Sequence, residues 1–306
     1  MKIIEPILKW AGGKRKLAPT ITSFFGKFNR YFEPFAGGAA VMLHLLPEDA
    51  VCSDNNPELI NLYKVVKDYP EELCSKLGTD YIPFLSEAFY YEVRNRDRQE
   101  GYLTDDSMAG RIDRAARFLF LNRTGFNGLC RVNSKGQNNV SYGKYTNPCI
   151  LDKEAIMDLS RALNEKNISF QCCDYKESLK SAKRGDLVYL DPPYDIEEGQ
   201  NGFVQYSKGG FNRDEQKRLK AVTDGLLARG CKVFMSNADT PFIRELFGND
   251  PRYIIHEISA RRSISAKASS RQVITELLIE GRPCDKKVDA RTTARHPAQY
   301  TSSASC

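Results

Sequence analysis

The chain has 306 residues, of which 41% are hydrophobic, 10% aromatic and 27% charged; this is enough apolar material for a large core and argues against disorder over most of the length. Basic residues (45) outnumber acidic ones (39) for a formal charge of +6, a modest bias toward a polyanionic partner. The three histidines and nine cysteines show neither triad nor zinc spacing, and no apolar run approaches the ~20 residues of a membrane span, so hydrolase, metal-dependent and membrane-spanning classes are disfavoured.

In chain order, the start Met1-Lys2-Ile3-Ile4-Glu5 is no signal peptide. Lys9-Trp10-Ala11-Gly12-Gly13-Lys14 sets paired glycines between an aromatic and a cation. The short aromatic strand Arg30-Tyr31-Phe32 leads into Glu33-Pro34-Phe35-Ala36-Gly37-Gly38, and Ala39 to Leu46 reads as a helix stopped by Pro47. A second strand, Ala50 to Ser53, ends at Asp54. Asn56, Pro57 and Glu58 supply a cap, a first-turn proline and an acid near the positive end of the next helix dipole. That helix runs through Leu59, Leu62, Val65 and Val66 and ends before Pro70.

From Leu59 to Asn147 the segment is mainly helical and basic, with a Gly/Asn-rich end. Arg111 to Tyr145 holds seven basic residues against Asp113 alone, the kind of concentration that a phosphate backbone recruits. Residues 131–140 read as a hairpin.

Beyond it, helix and strand alternate again. Asp152 to Leu163 shows helical spacing at Ile156, Leu159 and Leu163, and Ile168 to Cys173 is a strand. Asp186 to Leu190 is another, ending at Asp191. Asn212 with Glu215 resembles a capping box for a helix to Arg229, closed by Gly230. Strands follow at Cys231–Ser236, Tyr253–Ile258 and Val273–Glu280. Such alternation predicts an α/β fold, a mostly parallel sheet with helices on both faces and ligands beyond the strands' carboxyl ends. The glycines between Asp195 and Phe211 suggest a lid, and the Ser/Thr/Ala/Arg-rich end a mobile tail. The odd, scattered cysteines, two of them adjacent (Cys172 and Cys173), read as reduced thiols of a cytoplasm.

Two constellations carry chemistry. Gly37 and Gly38 let the backbone turn tightly between strand and helix, and Asp54 ends the next strand, where an acid meets ribose hydroxyls in nucleotide-binding folds. The pattern is not G-x-G-x-x-G, and Glu33 and Asp54 are both acidic, so a neutral or cationic nucleoside fits better than a dinucleotide. Asp191-Pro192-Pro193-Tyr194 follows a buried strand. Its prolines have no amide hydrogens, so their carbonyls, with the Asp191 carboxylate and an aromatic face, suit a planar ring bearing an amino group.

With these motifs in view, the sequence resembles the Dam family of DNA adenine-N6 methyltransferases (D12 class). The resemblance extends through Asp54-Asn55-Asn56, Asn122-Arg123-Thr124-Gly125-Phe126-Asn127-Gly128-Leu129-Cys130-Arg131, Asn139 to Tyr145, Ser236 to Thr240 and Arg261 to Ser265. It spans about residues 5–280. It implies a Rossmann-like S-adenosylmethionine-dependent methyltransferase domain (1–58 and 148–281), an inserted target-recognition subdomain (59–147) bearing the hairpin, and a tail (282–306).

By motif position, Trp10, Lys14, Phe35, Gly37, Asp54, Asp174, Tyr175 and Asp191 line the S-adenosylmethionine pocket. Asp191, Pro192, Pro193 and Tyr194 hold a flipped adenine, and Arg123, Phe126, Asn127, Leu129, Arg131, Asn139 and Ser141 meet double-stranded DNA. Arg131 is the expected guanine reader. Ser141 and Thr124 depart from a proline and an aromatic common in the family, which bears on the expected target, GATC. A monomer without metal, in the cytoplasm of a bacterium or of a phage-infected host, is expected. Alternatives are a non-catalytic DNA-binding relative, and an N4-cytosine or RNA adenine methyltransferase.

Overall fold

The computed structural model describes residues 4–196, 211–261 and 273–283. Residues 197–210 of the predicted Asp195–Phe211 lid, the tail beyond 283 and residues 262–265 of the Arg261–Ser265 motif lie outside the described residues.

The elements follow the predicted alternation. After α1 (Ala18–Thr22) come β1 (Tyr31–Pro34), α2 (Ala40–Leu45) and β2 (Asp49–Asp54). The helical segment follows with α3 (Pro57–Asp68), α4 (Pro70–Asp80), α5 (Glu87–Asn95) and α6 (Met108–Thr124). Next are α7 (Lys153–Glu165), β3 (Asn167–Cys172), α8 (Tyr175–Ser178), β4 (Leu187–Leu190) and α9 (Arg213–Ala228). The chain closes with β5 (Lys232–Ala238), α10 (Pro241–Gly248), β6 (Tyr253–Arg261) and β7 (Val273–Gly281).

The caps work as the residue types dictate. The Asn56 side chain accepts from the Glu58 and Leu59 amides at the start of α3. Asn212 accepts from the Glu215 amide at 3.0 Å. Only that half of the expected capping box is made, because the Glu215 carboxylate turns to Arg218 on the next turn, 2.6 Å away.

Among the described residues the strands form one sheet in the order β3-β2-β1-β4-β5-β7-β6. The first five are parallel; β7 inserts antiparallel between β5 and β6. Period-two alternation splits the strands between two cores. Tyr31, Leu187 and Tyr189 pack on one face with residues of α3, α6 and α7. Phe32, Val188 and Leu190 pack on the other with residues of α9 and α10. The helical segment therefore shares a continuous core with one face of the sheet. The carboxyl ends of β1, β2 and β4 converge, and at them stand Phe35, Asp54 and Asp191.

The charge count between 111 and 145 needs correction. Arg114 and Arg117 do not offer charge to a phosphate backbone. Both are buried; Arg114 pairs with Glu58 and Asp106, and Arg117 with Asp97. Burial of a guanidinium is tolerated only with such partners. The positive surface of this segment is correspondingly smaller than its sequence suggests.

Candidate active site

The chain turns sharply after β1. Phe35 takes a left-handed backbone (φ 87°) and Gly37 another (φ 47°). For a bulky aromatic this conformation is strained, and such strain gathers at functional sites. It is held by the Phe35 and Ala36 amides, which both donate to the Ser53 carbonyl at the end of β2.

Gly37 is required for a reason the sequence did not disclose: a Cβ there would collide with the Trp10 indole. The indole thus lies against the turn. The Gly37 amide donates to Asp54 Oδ2 (3.1 Å) and the Asn56 amide to Asp54 Oδ1 (3.0 Å). Burial raises the Asp54 carboxyl above the usual range, against these stabilising amides.

Beside this turn the Phe35 ring stacks on Tyr175, with centroids 5.2 Å apart, and meets Phe211 edge-on at 5.8 Å. Asp174 caps α8, accepting from the Lys176 amide, and so places Tyr175 at the end of β3. The Tyr175 hydroxyl and Ser53 Oγ are buried without a hydrogen-bond partner among the described residues. An aromatic slot, an acidic strand end and orphaned hydroxyls fit the ring and ribose of a nucleoside cofactor. Phe211 is a member of this slot that sequence reasoning placed in the lid instead.

Glu33 does not contribute a charge to the slot, contrary to the expectation. It is buried, accepts from the Tyr31 hydroxyl at 2.6 Å, and is pushed up to about 8 by desolvation and then by neighbouring Asp191. At neutral pH its carboxyl is mostly protonated.

At the end of β4, Asp191 is half-buried, 21% exposed, and its Oδ1 lies 2.9 Å from Lys14 Nζ, itself 4% exposed. Burial raises the Asp191 carboxyl and the Lys14 charge pulls it back down. Lys14 Nζ also donates to the Gly12 carbonyl (2.7 Å), lies 4.7 Å from the Tyr194 ring centre and 4.0 Å from Glu276 Oε2. The Tyr194 hydroxyl donates to Glu276 (2.8 Å). Glu276 has no sequence signal. It arrives because β7 runs antiparallel, so its first residues lie where the parallel strands end, with Glu276 opposite Ala238.

The proline corner differs from expectation in one respect. The Pro193 carbonyl is not free for a ligand: Gln216 Nε2 donates to it at 2.9 Å. Gln216 Oε1 accepts from Asn237, whose Oδ1 accepts from the Asp195 amide. Asp195 in turn accepts from Thr240 and pairs with Arg213. Gln216 and Asn237 are at most 1% exposed. Two interlocked buried amides therefore pin the corner from behind, and the Asp191 carboxylate and the Pro192 carbonyl, the latter without a partner among the described residues, remain as its acceptors.

The predicted DNA-facing residues form a separate group around the end of α6. Asn122 is buried and donates to the Lys9 and Gly128 carbonyls, which ties the N-terminal segment to this loop. Phe126 is 53% exposed, and Asn127 adopts φ 54° while its amide donates to the Tyr145 hydroxyl. The exposed Ser141 accepts from the Phe126 amide, and Leu129 closes a turn onto Phe126. Arg123 donates to the Ile7 carbonyl. Arg131 is bound across the hairpin to Asn139, Nε to Oδ1 at 2.8 Å. Lys9, the first residue of the Lys9–Lys14 motif, joins this group, its ammonium 4.4 Å from the Tyr145 ring centre.

An indentation lined by Ile4, Leu46, Asp158 and Arg161 lies toward the amino ends of β2 and β3 and carries no comparable chemistry.

At the carboxyl ends of one mostly parallel sheet, where α/β folds bind their ligands, an aromatic slot with an acidic strand end thus lies beside a proline-stiffened carboxylate corner. The comparisons name the family. Residues 10–264 match the D12 class N6 adenine-specific DNA methyltransferases, and the chain belongs to that family. It is 42% identical over 277 residues to the type II methyltransferase M1.LlaDCHI of Lactococcus lactis subsp. cremoris, covering 90% of this chain and 95% of that protein. It is 35% identical over 282 residues to the retron Ec67 DNA adenine methylase of Escherichia coli (92% and 93% covered). It is 34% identical over 283 residues to the DNA adenine methylase of Escherichia coli strain K12 (92% and 97%). The Rossmann-like α/β fold and adenine-specific DNA methyltransferase activity expected from the sequence are thereby established, and S-adenosylmethionine is the cofactor the family implies.

Proposed function

We propose that the chain methylates N6 of an adenine flipped out of duplex DNA, within GATC, with residues 59–147 serving as the target-recognition subdomain. The observation that carries this reading is the Asp191 corner: one carboxylate and one free carbonyl at a strand end, stiffened by two prolines and backed by Gln216. When bound, S-adenosylmethionine supplies an activated methyl group; Phe35, Asp54 and Tyr175 would hold its nucleoside, and Trp10, Lys14, Gly37 and Asp174 complete the expected pocket.

Adenine's amine is a weak nucleophile because its lone pair is delocalised into the ring. Asp191 and the Pro192 carbonyl each accept one amine hydrogen, which draws the nitrogen toward tetrahedral geometry and localises that pair. Asp191 is also the acceptor at hand for the proton released from the amine. Tyr194, anchored through its hydroxyl by Glu276, offers its ring for stacking. A base inside a duplex cannot reach this corner, so extrusion is required. On this reading exposed Phe126 and its neighbours Asn127 and Leu129 fill or probe the gap. Arg131, Asn139 and Ser141 are the base readers, and Arg123 supports the loop. The protein acts as a monomer.

The test is to incubate DNA free of adenine methylation with the protein and S-adenosylmethionine and to map modified bases by sequencing. The expected product is N6-methyladenine in GATC, abolished in Asp191→Ala with DNA affinity retained. Methylcytosine, or undiminished turnover by Asp191→Ala, would overturn the reading.

A further inference from the structure

The hairpin at residues 131–140 closes its tip with bonds of its own: the Asn133 and Asn139 amides donate to the Gln137 and Arg131 carbonyls, and the Asn133 side chain accepts from the Lys135 and Gln137 amides. Its strands make one isolated bridge, Val132 to Asn138, and Val132 is exposed. So short a ladder is marginal by itself in water, and a one-residue slip would turn each side chain to the opposite face.

The structure adds a second constraint from outside the hairpin. A short turn after α5 carries Asp97 and Arg98. Asp97 Oδ2 accepts from the Asn138 amide at 2.7 Å, and an Arg98 guanidinium nitrogen donates to the Asn138 carbonyl at 2.9 Å. Both backbone groups of one hairpin residue are thus held by two consecutive side chains some forty residues away in sequence. The two side chains also pair with each other, and Asp97 is locked by Arg117 at 2.7 Å, with both partners' side chains at most 4% exposed. A buried ion pair adds little net stability, and its best-attested use is to fix register.

We propose that Asp97 and Arg98 clamp the hairpin in the register that turns Arg131, Asn139 and Ser141 toward DNA, and are positioning residues for base discrimination. Adjacent contacts extend the clamp. The Tyr90 hydroxyl and Arg94 both donate to the Val140 carbonyl, and the Asn139 amide donates to the Arg131 carbonyl. Held this way, Asn139 keeps Arg131 extended across the hairpin. This inference rests on the reading that the hairpin recognises bases.

The experiment methylates a plasmid library of randomised sites to low extent and sequences the modified adenines. Its readout is the ratio of methylation at the preferred sequence to that at its single-base neighbours. That ratio does not depend on the amount of folded enzyme. Arg98→Met leaves the buried Asp97–Arg117 pair intact and is the main variant; Asp97→Asn keeps an acceptor for the Asn138 amide and Asp97→Ala does not. Arg131→Ala is the control for the reader itself. The expected result is a ratio lowered about tenfold in Arg98→Met, more in Asp97→Ala than in Asp97→Asn, with kcat at the preferred site within a few-fold of the parent. A ratio unchanged in Arg98→Met and Asp97→Ala but lowered in Arg131→Ala overturns the clamp alone. A ratio unchanged in Arg131→Ala as well overturns the hairpin's role as reader, and the clamp with it. Should Asp97→Ala fail to fold, Arg98→Met decides.

Discussion

The corner at residues 191–195 and the loop at 125–141 both leave regular structure to present side chains, yet they are held in opposite ways. The corner is stiffened by its own prolines and backed by Gln216 and Asn237, two side-chain amides sealed from solvent. The loop has no comparable core beneath its tip. Phe126 and Val132 are exposed, Asn133 and Asn139 bond within the hairpin, and the outside support comes from polar contacts to its edge. The difference follows the tasks. In-line transfer loses rate steeply when reacting atoms are displaced by about 1 Å, whereas a surface that meets DNA gains from groups that can re-form contacts on binding.

The largest expected effect lies behind the corner. Gln216→Leu removes the donor to Pro193 and strands the Asn237 amide, and kcat should fall about 10²-fold with cofactor affinity little changed, as read by single-turnover kinetics and cofactor titration. A loss of the same size from exposed Val132→Ala would break the contrast between the two regions.

Next comes Arg131→Ala, expected to cost about 1–3 kcal/mol of base discrimination while methyl transfer at the preferred site persists. Competition between matched duplexes measures it, and an unaltered preference at every position would remove Arg131 as a reader.

Lys14→Met should shift a pH profile. The acceptor form of Asp191 is the carboxylate, so activity is lost as pH falls through its pKa. Burial raises that pKa and Lys14 lowers it; without Lys14 the acid limb of single-turnover rate against pH moves to higher pH. An unmoved limb would mean that the 2.9 Å pair does not govern the site.

The smallest effect is on stability. Glu33 titrates at about 8 in the folded chain against an ordinary value of 4.5. Between those values the folded state binds more protons than the unfolded one, so this group makes stability decline as pH rises. Glu33→Gln removes the penalty, and its melting temperature relative to the parent should climb by a few degrees from pH 5 to pH 8. A constant difference would place the charge elsewhere.

Local chemistry explains which parts were legible beforehand. Asn56 before Pro57 and Glu58 marks the start of α3 because capping acts within three residues. The continuous apolar run Leu187-Val188-Tyr189-Leu190 announces a strand buried on both faces. Asp191-Pro192-Pro193-Tyr194 announces an acceptor corner because proline's lost amide is a property of the residue itself. The contacts of Gln216, Glu276 and the Asn237 amide with the corner were not legible, for they join residues 23, 82 and 42 positions apart. The charge of Arg114 and Arg117 misled for the same reason, since a basic residue gives no local sign of whether it faces solvent or Asp97.

Sequence by itself determined the elements, their alternation, the tight glycine turn after β1 and the residues able to accept an amine's hydrogens, because each depends on neighbours a few positions apart. Only the tertiary structure decided which acceptors stay free, which cations are spent in buried pairs, and how Glu276 meets Tyr194. The antiparallel insertion of β7 delivers that carboxylate to the strand ends, and pairing between distant strands follows from how whole faces pack rather than from any local run of residues.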